Sequence, residues 1–215
     1  MKVRTIFLGY DWRWLRWYEW HKSFMSNIIR VCPRREEADS DLSLTWPALY
    51  LHDERTIQHG EILPHLKNMI DGSDYYVFID YDCYIIDRTF VDKSIQYMQE
   101  TGAGALFPHL RHERDWPVPG ERMKTFSIWS CIMYGRACFE NYCANRRKEW
   151  LEVEMVETPI RQGFDVRQNP YIDPASCNWT KNGRIPPVDI KGMAVHPVKH
   201  DDDYERIVRE YGARI

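Results

Sequence analysis

Nothing in this sequence approaches the roughly 20 consecutive apolar residues that a membrane-spanning helix needs. The opening apolar run stops at Tyr10-Asp11-Trp12-Arg13, too soon for the core of a signal peptide. A basic excess is missing too: 29 Lys and Arg stand against 32 Asp and Glu, a formal charge of −3. That balance excludes a general nucleic-acid binder. Cysteines occur at 32, 83, 131, 138, 143 and 177, without the C-x-x-C pairs of a structural metal site. With no secretory signal they read as reduced thiols, and the expected location is cytoplasmic. There is no internal repeat, low-complexity tract or Gly/Ser linker, so one domain over residues 1–215 is expected.

What is present describes a globular chain, 44% hydrophobic and 28% charged. Nine Trp and thirteen Tyr serve a core or an interface, and also suit a cleft that stacks on rings or sugars. Val3 to Gly9 reads as a buried first strand, Trp14 to Met25 as a helix, and Asn27 to Cys32 as a second strand closed by Pro33. Arg34 to Ser43 is charged and reads as exposed. Thr56 to Ile70 reads as a helix kinked or restarted at Pro64. Further helices are expected over Asp92 to Glu100, Arg136 to Trp150 and Tyr204 to Tyr211, the last stopped by Gly212. Strands are expected at Gly104 to Pro108, Thr125 to Tyr134 and Phe164 to Gln168. Alternating strands and helices predict an α/β fold with a mostly parallel sheet flanked by helices.

The most strand-like run is Asp74-Tyr75-Tyr76-Val77-Phe78-Ile79-Asp80-Tyr81-Asp82-Cys83-Tyr84-Ile85-Ile86. It carries two carboxylates one residue apart. If the strand continues through 82, Asp80 and Asp82 share a face and repel each other. A divalent cation turns that repulsion into coordination, because hard cations prefer oxygen ligands. Ligands of open α/β sheets bind beyond the carboxyl ends of strands, where an apolar run ending in Asp-Tyr-Asp would place the pair. The plainer alternative is that the two aspartates mark an exposed strand end or cap a turn.

The segment YYVFIDYDCYI resembles the D-x-D segment of GT-A glycosyltransferases, and so does the order of strands and helices around it. A narrower resemblance is to small glycosyltransferase domains with which large algal DNA viruses decorate capsid protein; the corresponding location is the host cytoplasm. The resemblance implies a GT-A, Rossmann-like sheet, a Mn²⁺ or Mg²⁺ ion, a nucleotide-sugar donor, commonly a UDP-sugar, and a glycan or glycoprotein acceptor. It implies Asp80, Asp82 and His196 as metal ligands, with His200 in reserve, and Tyr81 beside the donor. Val195-His196-Pro197-Val198-Lys199-His200 is similar to a late segment of such enzymes, which assigns Lys199 to the diphosphate. In the resembled fold the turn Gly9-Tyr10-Asp11-Trp12 lines the nucleotide base. Leu151 to Phe164 resembles the helix whose N-terminal acid faces the acceptor; Glu154 is the first candidate base, with Glu157 and Glu152 behind it. Asp201-Asp202-Asp203 are expected to precede the last helix and complement its N-terminus, without a catalytic role.

Two other functions compete. A carboxylate pair also serves glycoside hydrolysis, but there the acids flank the sugar. A non-catalytic carbohydrate-binding module would use the tryptophans and has no need of converging Asp80, Asp82 and His196.

Overall fold

The structure, a computed structural model, describes residues 1–8, 18–25, 27–32, 48–50, 63–112, 125–127, 130–146, 151–176, 192–196, 198 and 200–212. Strands are β1 (Val3–Leu8), β2 (Ile28–Cys32), β3 (Ala48–Tyr50), β4 (Tyr75–Asp80), β5 (Tyr84–Ile85), β6 (Ala105–Phe107), β7 (Arg111–His112), β8 (Thr125–Phe126), β9 (Cys131–Gly135), β10 (Val166–Gln168) and β11 (Ala194–Val195). Helices are α1 (Tyr18–His21), α2 (Phe90–Thr101), α3 (Arg136–Ala144), α4 (Leu151–Arg161) and α5 (Asp201–Ile207).

Seven strands form one sheet in the order β10-β6-β9-β4-β1-β2-β3. All its pairings are parallel except those of β9, which runs against both β4 and β6. The mostly parallel α/β sheet expected from the sequence is therefore present. Both faces are buried, which is why β4 reads as an unbroken apolar run. Tyr76 and Phe78 pack on one side with Phe139 and Tyr142 of α3 and with Met155 and Val156 of α4. Val77 and Ile79 pack on the other with Phe90, Ile95 and Met98 of α2. β1 has β2 on one flank and β4 on the other, so the chain reverses its winding between β1 and β4. A crevice at the carboxyl ends of such strands is where open sheets bind ligands. Leu8, the last residue of β1, pairs there with Asp80.

Several element expectations need correction. Residues 63–69 form a 3-10 helix, not an α-helix; Pro64 cannot donate to an i−4 carbonyl. Residues 14–17, 34–43 and 56–62 of the expected segments lie outside the described residues. The Thr125 to Tyr134 segment is two strands in different sheets: β8 pairs with β7, and β9 enters the main sheet. α3 ends at Ala144, where the Asn145 amide bonds Asn141 O and Tyr142 O. The last helix starts at Asp201, so the three acids occupy its first turn, and a π turn follows over Val208–Gly212.

Pro159 lies inside α4. A proline has no N–H to give the carbonyl four residues back, which is that of Met155. The Tyr134 hydroxyl donates to that carbonyl at 3.1 Å, and the helix continues.

Beyond the amino ends of β1 and β4, Asp71 collects donors. Lys2 Nζ and Arg4 Nη1 lie 3.0 Å from Oδ2, Asn27 Nδ2 donates at 3.2 Å, and the Ser73 amide donates to Oδ1 at 3.1 Å. Two residues here hold left-handed backbone, Asn27 at φ 50° and Gly72 at φ 73°. Burial raises the Asp71 pKa, but hydrogen bonds from Ser73, Lys2 and Asn27 outweigh it and hold the carboxyl well below the usual carboxylate range. A carboxylate depressed in the folded state stabilises above its unfolded pKa and loses that contribution as pH falls through the folded value. Asp71→Asn is expected to cost about 2 kcal/mol at pH 7. The difference from wild type should shrink as the pH drops below about 4. Urea denaturation at the two pH values checks this; a pH-independent difference would contradict it.

Candidate functional site

β4 stops at Asp80 because the carboxylate takes over the local backbone. Asp80 Oδ1 accepts from the Tyr81 amide at 2.9 Å, and the Cys83 amide bonds Asp80 O at 3.0 Å, closing a turn. Side chains of this type compete with the ladder for backbone donors. Asp82 therefore lies in a turn, and the same-face strand geometry expected from the i, i+2 spacing does not apply. What brings a third ligand to the two carboxylates is another element.

That element is β11. β5 pairs antiparallel with it, Tyr84 opposite Val195 and Ile85 opposite Ala194. The ribbon carries His196 back over the turn, where the Val198 amide bonds Asp82 O at 2.7 Å and the His196 amide bonds Ser176 O at 2.9 Å. His196 Nε2 stands 3.1 Å from Asp82 Oδ1 and 3.8 Å from Asp80 Oδ2. The exposures of Asp80, Asp82 and His196 are 2%, 1% and 2%.

Two buried carboxylates and one imidazole suit a divalent cation. Their ligand atoms lie within 4.8 Å of one another. Oxygen ligands at about 2.0 to 2.6 Å from a common ion span a similar distance. Nδ1 of His196 has no hydrogen-bond partner among the described residues, so no bond there fixes the tautomer and Nδ1 can carry the proton while Nε2 serves as a ligand atom. An imidazole beside two carboxylates is a mixed nitrogen and oxygen set, open to a first-row divalent cation as well as to the hard cations that oxygen alone prefers.

The other candidates fall in different places. Tyr81 is 9% exposed and its amide is held by Asp80. Gly9, Tyr10, Asp11 and Lys199 lie outside the described residues. Glu154 is fully buried, with Oε1 accepting from Arg146 Nε at 2.9 Å and Oε2 without a hydrogen-bond partner among the described residues. Burial pushes the neighbouring Tyr142 hydroxyl well above its ordinary pKa, and the Glu154 charge adds to the rise. Glu157 Oε1 accepts from the Thr125 amide at 2.6 Å and so anchors β8 to α4. The Ser127 amide bonds the backbone carbonyl of Glu152 at 3.1 Å. His200 precedes α5 at its N-cap. Burial pushes the Cys138 and Cys143 thiols up to about 12, and four cysteines among the described residues are unbridged.

A cleft of about 480 Å³ opens at the other end of β4, lined by Asp74, Tyr75, Gly104, Gly135 and Arg136 among others. Arg136 is engaged there with Ser73 O, Gly72 O and Asp74. That cleft is remote from Asp80 along the strand and has no part in the cluster.

No family model and no curated protein matches the chain. Solved structures do match in fold. A mannosyltransferase from Pyrobaculum calidifontis in complex with GDP-Man and Mn²⁺ aligns with TM-score 0.53 and 12% identity, over 79% of this chain and 55% of that one. The 2-C-methyl-D-erythritol 4-phosphate cytidylyltransferase of Thermus thermophilus aligns with TM-score 0.53 and 15% identity over 100% of both chains. CMP:2-keto-3-deoxy-manno-octonic acid synthetase complexed with CTP aligns with TM-score 0.50 and 10% identity, over 78% of this chain and 89% of that one. The likeness is one of fold, a GT-A-like, Rossmann-like α/β sheet. Among the described residues no helix is long and apolar enough to cross a membrane.

Proposed function

We propose that this chain is a metal-dependent glycosyltransferase that moves a sugar from a nucleotide-sugar donor, a UDP-sugar in the first instance, to a glycan or protein-linked acceptor. The convergence of Asp80, Asp82 and His196 at the carboxyl end of β4 carries the reading. Asp80 Oδ2, Asp82 Oδ1 and His196 Nε2 would hold Mn²⁺ or Mg²⁺. A cation bound there would offset the negative charge that builds on the departing diphosphate. The chain leaving β1 begins beside Asp80, which suits Gly9, Tyr10 and Asp11 to a base or ribose bound in the switch-point crevice. Lys199, three residues after His196, is assigned to the same diphosphate. For the acceptor we assign Glu154, whose Oε2 is not engaged while Arg146 holds Oε1. An acceptor hydroxyl reaches that buried oxygen only if its cover opens. Glu157 is second in line, since Thr125 occupies one of its oxygens.

The cytidylyltransferase likeness supports a second reading, nucleotidyl transfer from a nucleoside triphosphate. Triphosphates are commonly cradled by glycine-rich turns whose amides point at the phosphates. Here Gly9-Tyr10-Asp11-Trp12-Arg13 offers a single glycine after β1, which favours the nucleotide-sugar reading.

Thermal shift tests it with UDP, GDP, CDP and CTP, each with and without Mn²⁺. UDP is expected to raise Tm only when Mn²⁺ is present. Stabilisation by CTP above all diphosphates would favour nucleotidyl transfer. A response to free oligosaccharide alone, with none to nucleotide, would return the chain to a sugar-binding module.

A further inference from the structure

The ribbon that carries the site has an outer edge, and α1 covers it. In a strand, successive residues turn their backbone N–H and C=O to alternate edges. The Ile86 amide bonds Met193 O at 2.8 Å, on the β11 side. The backbone groups of Ile85 therefore face the opposite edge, and a buried edge left open there would cost both a donor and an acceptor. Two adjacent side chains of α1 fill it. Trp20 Nε1 donates to Ile85 O at 2.6 Å, and the Ile85 amide donates to His21 Nε2 at 3.1 Å. Ile85 and His21 are both 0% exposed. The same two rings enclose Tyr84: Trp20 stacks on it with centroids 6.1 Å apart, and His21 meets it edge-on at 5.3 Å. Arg88 lies 4.9 Å over the Trp20 ring.

The clamp acts on what holds the ligands. β5 begins two residues after Asp82, and β11 ends one residue before His196. Neither ligand has a long element of its own: each of these strands is two residues long. Backbone bonds from Val198 to Asp82 and from His196 to Ser176 hold the ribbon on one side, and the grip on its outer edge is the other support for the separation of Asp82 and His196 from Asp80.

We infer that Trp20 and His21 are positioning residues of the metal site, gripping Ile85 so that Asp82 and His196 face Asp80. The inference rests on the metal reading given above. Because His21 Nε2 accepts a hydrogen bond, the neutral ring carries its proton on Nδ1. An acceptor at that place is the requirement, not an imidazole as such. Glutamine places Oε1 the same number of bonds from Cβ as Nε2 and can accept the same amide proton; leucine cannot.

The test is Mn²⁺ binding to the apo-protein, read by loss of the free-ion EPR signal at a temperature where circular dichroism shows each variant folded. His21→Leu and Trp20→Phe are expected to weaken Mn²⁺ by about ten-fold, within the range for residues that orient metal ligands. His21→Gln should bind close to wild type. Asp71→Asn, at the far end of β4, lowers stability without touching the ribbon and should leave Mn²⁺ affinity unchanged. Wild-type affinity in both His21→Leu and Trp20→Phe overturns the inference while leaving the metal site standing. Equal weakening in Asp71→Asn would assign the effect to stability and overturn it as well. Failure of both clamp variants to fold would make α1 a support of the whole fold rather than of the site, and that too would overturn it. If wild type itself takes up no Mn²⁺, the metal reading fails and the inference goes with it.

Discussion

Asp82→Asn is expected to weaken metal-dependent UDP binding by about 100-fold or more, above the usual cost of losing a residue that merely orients a ligand. The fold should survive, because Asp82 holds the ribbon through its backbone: the carbonyl accepts the Val198 amide at 2.7 Å, and asparagine keeps that carbonyl. Asparagine also keeps the shape of the side chain and removes one of two like charges buried 1% and 2% exposed. Tm without metal should therefore hold or rise slightly. His196→Ala should weaken Mn²⁺ and UDP together, since both depend on one set of ligands. Calorimetry of Mn²⁺ with and without UDP, beside a melt of the apo-protein, measures these effects. If the Asp82→Asn variant bound UDP with Mn²⁺ as wild type does, the cluster would be no metal site.

The second large effect belongs to α4. If the enzyme inverts and Glu154 is its base, Glu154→Gln should lower turnover by about 10² to 10⁴ while UDP affinity stays near wild type. Glutamine can still accept from Arg146 Nε, now 2.9 Å from Oε1, so the contact survives while the basic oxygen is lost. Glu157→Gln keeps an acceptor for the Thr125 amide, which Oε1 takes at 2.6 Å, but gives up the charge that strengthens that bond, so the change should appear in stability, by about 1 kcal/mol. Donor turnover, UDP affinity and urea midpoints for the two variants separate the roles. Undiminished turnover in Glu154→Gln would remove Glu154 as the base, and α4 would leave the chemistry if the Gln variants of Glu152 and Glu157 also turned over like wild type.

The clearest sequence signals came from local composition. Val3 to Leu8, Tyr75 to Asp80 and Ala105 to Phe107 are apolar runs rich in β-branched or aromatic residues, and each is a strand of the main sheet. Residues buried on both faces leave that mark whatever lies around them. Asp80 and Asp82 stood out for the same reason, as charges set against an apolar run. His196 did not stand out alone; it became a candidate through resemblance to a family pattern. Trp20 and His21 fall in the Trp14 to Met25 segment, whose pattern predicts a helix and no site. The pairing of a ring N–H donor with an adjacent imidazole acceptor was the signal available there, and it has no meaning until the strand it grips is known.

Composition and order along the chain thus determined the α/β class, the edge-of-strand carboxylates and the absence of a spanning helix among the described residues. Tertiary structure alone decided that β9 runs against its neighbours and that β11 returns His196 to within 3.1 Å of Asp82. The division follows from the range of the forces. Burial and turn chemistry are written in near neighbours, whereas strand direction and the meeting of distant ligands depend on which buried backbone edges must find partners, and those partners are distant in sequence.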